Sequence, residues 1–526
     1  MAVGSEFFLD VIFGDRLFLK EQENVFRTRA KIMPLLLALF CLWGLTGPDA
    51  ARAETKSLDQ MLEGFNSEPE PQNTGSYDSV LQGFEEKKAD PPQDSLDVLK
   101  GFEETKSPSP KESVSQDQAF SLPQWLDIEG DLTFRSVANL DANPPAPGQT
   151  DHRGLDSLRG EISLQADVEL PQNWDFRISG DAFYDAAFSI NGRDDYTGPD
   201  LASRESQVEF DELWLRGSLL SNLDLKLGRQ IVVWGRSDNI RVTDVLNPMD
   251  YREPGMTDIE DLRLPVVMTK LDYYPAGLHL SAILLNEIRF NKDPAFGSNF
   301  YSAPSRPPED IKPRSHLDNT EFALSLEQNF SGWDYSLYGA YFYNDNGHLA
   351  RGNQGIVREH ERLYMLGAAV NLVKGNWLFK GEAAWFEGFK FLALPQEEKS
   401  RLDLLLGVEY SGIHETTISL EAANRHMFDF DQILENSPEN PKEDDFQWAL
   451  RISRDLMHDR LTMTFLASAF GLGLDQGGFQ RLEGEYELTS HWHFIGGLVL
   501  YQSGEHRPFE AAGDKDRVFV KLKYSF

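Results

Sequence analysis

Cysteine is almost missing from this chain: Cys41 is the only one in 526 residues. An intrachain disulfide framework is thereby excluded. Basic residues are few as well, 50 Lys and Arg against 85 Asp and Glu, for a formal charge of −35. Such a surface repels a polyanion, which excludes nucleic acid as a partner. Beyond residue 45 no apolar run reaches the roughly 20 residues that a spanning helix needs. Signatures of catalysis are missing too. There is no Gly-x-Ser-x-Gly elbow, no Ser/His/Asp grouping and no phosphate-cradling glycine loop. His491 and His493 share a strand face without a third ligand nearby, the pattern of a polar pair rather than a zinc site. Asn344-Asp345-Asn346-Gly347 lacks the closing glutamate of a calcium loop, and the acidic stretch 429–445 reads as a hydrated loop. Glu483 and Glu485, two apart on one strand face, are ordinary polar wall positions. The chain reads as a non-enzyme with no cofactor and no metal.

What is present begins with an export signal. Arg27, Arg29 and Lys31 precede an apolar run at 33–45, and Ala51-Arg52-Ala53 forms a small-residue cleavage site. The run has the length of a signal h-region, so residues 1–53 are expected to be an upstream extension followed by a secretory signal. Cys41 falls inside it, and the bulky Phe40 before it argues against lipidation. Residues 54–122 hold 15 acidic and 6 basic residues amid Pro, Ser and Gln, the composition of a disordered tail. One phrase recurs in it at 57–65, 76–84 and 95–102. In the first copy Leu58, Met61, Leu62 and Phe65 fall on one face of a short helix capped by Ser57. Tyr77, Leu81 and Phe84, then Leu96, Leu99 and Phe102, repeat the apolar set. A helix this short is marginal alone. The three copies are therefore expected to order on a partner groove, in a periplasmic protein or an inner-membrane exporter, with avidity from tethering.

From residue 123 onward the pattern is alternation. Ile162, Leu164, Ala166, Val168 and Leu170 interleave with Ser163, Gln165, Asp167 and Glu169, and similar strands recur to the end. Period two puts one set on each face of a strand. About 18 strands (16–18) are expected. Their connections alternate in length, with tight turns near 171–173, 220–222, 275–277, 330–332, 374–376, 411–414, 457–459 and 490–491. Long polar loops fall at 139–154, 189–205, 236–263, 291–318, 345–360, 388–400, 427–445 and 505–516; 472–477 is short where a long one is due. Short turns on one side and long loops on the other predict an all-β, antiparallel up-and-down transmembrane barrel over 123–526. Trp174, Trp333, Trp377 and Trp492 each follow a tight turn, where an interfacial girdle would lie. Inward residues are expected to be mostly charged or hydroxylic.

The final strand, with Val518, Val520, Leu522, Tyr524 and Phe526 on one face, resembles the closing strand of bacterial outer-membrane barrels. That resemblance makes Leu522, Tyr524 and Phe526 a signal for the barrel assembly machinery. It also implies an outer-membrane location, among lipid and lipopolysaccharide, with the tail in the periplasm.

Residues 227–253 carry the most distinctive segment. Gly228-Arg229-Gln230, Trp234-Gly235 and Asn247-Pro248-Met249-Asp250 run from a strand end into a long loop. Here the chain resembles a family of uncharacterised outer-membrane proteins (domain of unknown function 1302). The resemblance implies a pore or transport role, in some members beside inner-membrane exporters of the resistance-nodulation-division type, and so traffic of lipids or hydrophobic compounds. The repeated tail departs from the family pattern. Physically, Arg229, Arg236, Arg241 and Arg252 are placed to pair with Asp238, Asp244, Asp250 and Glu253, folding the loop inward as a constriction of the lumen. The expected function is an outer-membrane conduit constricted by this loop. The alternative is an envelope scaffold that presents the three tail motifs to a partner complex.

Overall fold

The computed structural model describes residues 123–526, apart from residues 142, 146–148, 304, 507–508 and 514. The expected export signal and the expected tail with its three repeats lie outside the described residues.

Eighteen strands form one antiparallel sheet. In chain order they are β1 (Leu126–Asn139), β2 (Gly154–Leu170), β3 (Trp174–Asp185), β4 (Ser206–Leu220), β5 (Leu223–Gln230), β6 (Val266–Tyr273) and β7 (Leu278–Leu285). After the short β8 (Glu309–Ile311) come β9 (Glu321–Phe330) and β10 (Trp333–Tyr343), then the short β11 (His348–Gly352) and β12 (Gly355–Glu359). The wall resumes with β13 (Arg362–Lys374), β14 (Trp377–Phe389), β15 (Lys399–Ile413), β16 (Thr416–Met427) and β17 (Asp444–Leu456). It ends with β18 (Leu461–Phe470), β19 (Gly478–Glu487), β20 (Trp492–Gln502) and β21 (Arg517–Ser525). Each wall strand pairs with the next, and β21 returns to β1, with Leu522 opposite Phe134 and Tyr524 opposite Leu132. Phe526 and Gly130 then exchange two backbone hydrogen bonds of 2.9 Å. Closure leaves the wall no free edge, which is what lets a sheet sit in hydrocarbon.

The expected strand number and the alternation of turns and loops both hold, including the short 471–477 connection. No helix among the described residues is long and apolar enough to cross a membrane. The outward face instead carries the apolar band: Phe134, Phe210, Leu324, Leu366 and Leu406 are all exposed, Leu406 at 76%. Outside lipid, that much uncovered apolar surface would be costly, at about 25 cal/mol per Å². Trp174, Trp333, Trp377 and Trp492 open β3, β10, β14 and β20 at the short-turn end. There Trp333 stacks on Phe330 at 4.3 Å, and Trp492 lies 4.8 Å from Tyr524.

Two features differ from the alternation-based expectation. The loops carry structure: β8, β11 and β12 make a separate three-stranded sheet, and the β3–β4 connection holds short helices α1 (Ala187–Asn191) and α2 (Gly198–Arg204). Much of the inner wall is also apolar. Met268, Ile283, Leu285, Phe342, Met365, Phe386 and Leu405 are buried in one cluster with Val232, Trp234, Ile240, Val242 and Leu246 of the β5–β6 connection. Period two tells which residues face inward, but not that a loop covers them and turns that stretch of lumen into protein core.

Candidate functional site

The segment 231–265 between β5 and β6 does not cap the rim; it crosses the barrel interior. Its base is held by Asn247, which is fully buried. The Asn247 side chain accepts from the Val232 amide at 2.9 Å and donates to the carbonyls of Leu264 at 2.8 Å and Gln230 at 3.4 Å. One amide side chain thus ties the outgoing limb of the segment to its returning limb. Gln230, also fully buried, donates to the Met268 carbonyl at 3.2 Å. Asp244 receives Arg263 at 2.8 Å and Arg241 at 3.4 Å, which closes the fold of the segment on itself.

Its outer bend is gripped by the far wall. Trp234, 4% exposed, stacks on Tyr338 of β10 at 4.8 Å. The Tyr338 hydroxyl accepts from the Gly235 amide at 3.2 Å. Arg236 donates to Asp334 at 2.8 Å and to the Ser336 hydroxyl at 2.7 Å, both on β10. Two buried carboxylates do most of the holding. Glu382 of β14 accepts from the amides of Arg236 and Ser237 on one oxygen, and from the amide and hydroxyl of Thr243 on the other. Glu421 of β16, fully buried, accepts from the amides of Asp238 and Asn239 and from the Ser237 hydroxyl. A buried carboxylate is very costly unless its lone pairs are met, and hydrogen bonds to charged acceptors contribute about 1.5–3 kcal/mol each. Lys380 of β14 completes the grip on Asp238. Gly235 is required there: its φ is +88°, and a Cβ would lie 2.7 Å from Glu382.

The returning limb crosses to the opposite wall. Arg252 pairs with Asp250 and also donates to the Ser203 carbonyl of α2. Glu253 meets Arg135 of β1 at 2.9 Å. Burial alone would raise the Glu253 carboxyl, but Arg135, Arg159, Arg517 and Arg204 outweigh it and hold the group well below the usual carboxylate range. The Tyr501 hydroxyl of β20 donates to the Pro254 carbonyl at 2.6 Å. Asp258 takes both Arg451 of β17, at 2.8 Å, and Arg481 of β19. Met256 packs in a second apolar cluster with Val137, Val499, Tyr501 and Phe519.

Of the residues singled out from sequence, Trp234, Arg236, Asp238, Arg241, Asp244, Asn247, Asp250, Arg252 and Glu253 belong to this crossing, and Gln230 ends β5 at its base. The expected local pairs form for Arg241–Asp244 and Arg252–Asp250. Arg236, Asp238 and Glu253 pair with the wall instead. Arg229 stands apart, on the outward parity it shares with Leu227. It bonds Glu287 at 2.6 Å and the Phe210 carbonyl at 2.9 Å. The wall partners Glu382, Glu421, Asp334 and Lys380 were not foreseen. Their signal was a charge at an inward position among small or apolar neighbours, such as Lys380 and Glu382 ahead of Ala384 and Phe386. Of the polar candidates set aside, His493 lies 3.0 Å from Glu485, and His491 meets the Ser525 carbonyl.

Among solved structures the chain is similar to barrels of Pseudomonas. A BenF-like porin from Pseudomonas fluorescens Pf-5 is 12% identical, over 77% of this chain and 99% of that one, with a TM-score of 0.46. The outer membrane protein OpdK of Pseudomonas aeruginosa is 14% identical, over 76% and 98%, with a TM-score of 0.44. OccK2 (OpdF) of Pseudomonas aeruginosa, solved with glucuronate, is 13% identical over the same shares, also at 0.44. No protein of curated function matches the chain in sequence. A family model, described as protein of unknown function (DUF1302), matches residues 32–526, and the chain belongs to that family.

Proposed function

We propose that the protein is an outer-membrane conduit in which the segment 231–265 constricts the lumen and sets what passes. The observation that carries this reading is the two-carboxylate grip: Glu382 and Glu421 bind five backbone amides of one bend and hold it against the wall opposite its origin. A loop that merely sealed the barrel needs no such polar seat. Selectivity in pores comes from fixed charges and narrow apolar stretches at close quarters, and this crossing carries both. Below it the inward wall is solvent-accessible and mixed in sign, with Arg177, Lys226, Asp334 and Glu327 partly exposed. Lipid or another hydrophobic compound is the proposed cargo, which fits the apolar packing around Trp234. The proposal includes a periplasmic tail, whose three motifs would meet an exporter or a periplasmic protein. The test is single-channel recording in planar bilayers. Arg236→Glu, which sets two carboxylates against each other at Asp334, is expected to change conductance or ion preference severalfold. Unaltered currents from a correctly folded variant would count against a constriction.

A second reading is favoured by the dry cluster around Trp234 and Ile240: a plugged barrel acting as an envelope scaffold that presents the tail motifs. Absence of any current from the wild-type protein, with a partner retained by the tail in mild detergent, would select it.

A further inference from the structure

The barrel wall is uneven in height. β5, β6 and β7 have eight residues each, between β4 with fifteen and β9 with ten. At about 3.3 Å per residue and a tilt of about 40°, eight residues rise about 20 Å, short of the roughly 25 Å apolar band of an outer-membrane barrel. The cause is the crossing segment, which leaves the wall after Gln230 and rejoins it at Val266. β4 pairs with β3 from Ser206 onward, but with β5 only from Leu213 onward. Among the described residues, no strand pairs with 206–212 on the β5 side. Val208 and Phe210 are 85% and 62% exposed there, so the notch opens on the apolar outer face.

An open sheet edge is not tolerated in hydrocarbon, and side chains bridge this one. On the outside, Arg229 donates to the Phe210 carbonyl at 2.9 Å and pairs with Glu287 at 2.6 Å. Glu287 also accepts from the Val267 amide of β6 at 3.1 Å. On the inside, Glu209 receives Arg289 and Lys292, and Gln207 receives Arg252 at 3.0 Å. Such contacts can part without unzipping a ladder of backbone hydrogen bonds. Arg229 stands six residues beyond Leu223, at the short-turn end of β5. That is about 15 Å of height, which puts the pair inside the apolar band. Charges at that depth are rare and mark function. A pure hydrocarbon would give Arg229 and Glu287 no role. A molecule with an acyl chain and a charged head uses both surfaces, its chain along Val208 and Phe210 and its head exchanging partners with the pair. On the limb leaving β5, Val233 is 57% exposed and offers an apolar contact on the crossing segment itself.

We propose that this notch is a lateral portal, through which an amphipathic lipid passes between the barrel interior and the surrounding leaflet, with Arg229 and Glu287 as its latch. The inference rests on the reading of the barrel as a conduit for lipid or hydrophobic compounds. For the test, the full-length protein is reconstituted in phosphatidylcholine liposomes doped with a diacyl phosphatidylcholine that carries a diazirine on one chain. Two acyl chains keep that probe in the bilayer, so it reaches inward positions only through the wall. Photolysis and peptide mapping are expected to find adducts on Gln207 or Glu209 and on Val233, besides those on the outward band. In Arg229→Ala these inward adducts are expected to rise at least threefold. Heat-modifiable gel migration checks folding, and should Arg229→Ala fail to fold, Glu287→Gln carries the comparison.

Adducts confined to outward positions overturn the portal, as do inward adducts that spare 206–212. Equal inward labelling of the wild type and the folded variant overturns it as well. Single-channel recording on the wild type reports on the conduit separately. A barrel that conducts but takes no inward lipid adduct keeps the conduit and loses the portal. One that passes no current yet gains inward adducts at the notch loses the aqueous conduit and keeps the portal.

Discussion

Gly235 and Glu382 approach so closely that a methyl group on the glycine would fall 2.7 Å from one carboxylate oxygen and 2.8 Å from the other. Neither can change without the other losing its place, because the Glu382 carboxylate is what the bend wraps around. Gly235→Ala adds both that clash and the strain of a left-handed backbone, about 1–3 kcal/mol for the latter alone. The expected outcome is a barrel that still closes, with a loosened bend. Trypsin cleavage at Arg236 or Arg241 should rise severalfold in Gly235→Ala. Cleavage no faster than in the wild type would refute the coupling.

Glu421 offers a cleaner removal, since its partners all belong to the crossing segment. Glu421→Ala leaves the Asp238 and Asn239 amides and the Ser237 hydroxyl without their acceptor. Each unmet buried group costs about 1–3 kcal/mol. Single-channel current is expected to increase and become noisier, with the melting of the barrel shifted little, because the wall strands keep their pairing. A current trace indistinguishable from wild type would show that the grip is redundant.

Asn247 ties the two limbs together, and Asn247→Ala removes all three bonds. A loss of about 2–4 kcal/mol is expected from the unmet Val232 amide and the Leu264 and Gln230 carbonyls. The temperature at which the folded gel band converts to the unfolded one should fall measurably. Asn247→Asp keeps the acceptor for Val232 but sets a buried carboxylate against the Leu264 and Gln230 carbonyls, and is expected to lower that temperature at least as far.

The Glu253–Arg135 contact predicts a pH dependence. A carboxylate whose native pKa is depressed adds stability above its unfolded value, near 4.3, and loses it only as pH falls through the native value. With Glu253 held well below the usual range, the contact should persist throughout the mildly acidic range. Protease protection of the segment is expected to be the same at pH 7.5 and pH 5 in the wild type. Glu253→Gln should be less protected at both values, since breaking a buried pair costs about 3–5 kcal/mol. Protection in the wild type that vanishes by pH 5 would contradict the assignment.

Arg229 supplies the contrast. Despite its place in the Gly228-Arg229-Gln230 signature, it faces outward and bonds Glu287. Arg229→Ala is expected to leave conductance unchanged while modestly lowering stability, by no more than about 1 kcal/mol for a partly exposed pair. A large conductance change would mean that the outward pair controls the segment after all.

The wall was legible because its rules are local. A tight turn needs particular residues, a strand in a barrel alternates, and Trp174 or Trp377 betrays the interface by following a turn. Alternation put Leu522 and Tyr524 on one face of the last strand, but their register opposite Phe134 and Leu132 of β1 is a finding of the structure. What stayed hidden depends on contacts remote in the chain. Glu421 is more than 180 positions from Asp238, so nothing beside either residue announces that they meet. The apolar inner face of β6, β7 and β13 runs against the expected polar lumen, because the segment that covers it is remote from those strands in the chain. Charge signs near Arg236 were readable, but their partners were not: the chain supplies Asp334 as easily as Asp238. The strands β8, β11 and β12 escaped for a different reason, being too short for alternation to register.

The clasp made by Asn247 also limits how any passage through the barrel can open. A stopper fastened at both feet cannot be shed into solution or swapped for another, as a separate plug domain could. It can only swing about its moorings, and the free length beyond Val232 and Leu264 sets how far. If the proposed constriction opens, it would therefore do so by a lateral shift of the bend away from β14 and β16, with its seat left in the wall.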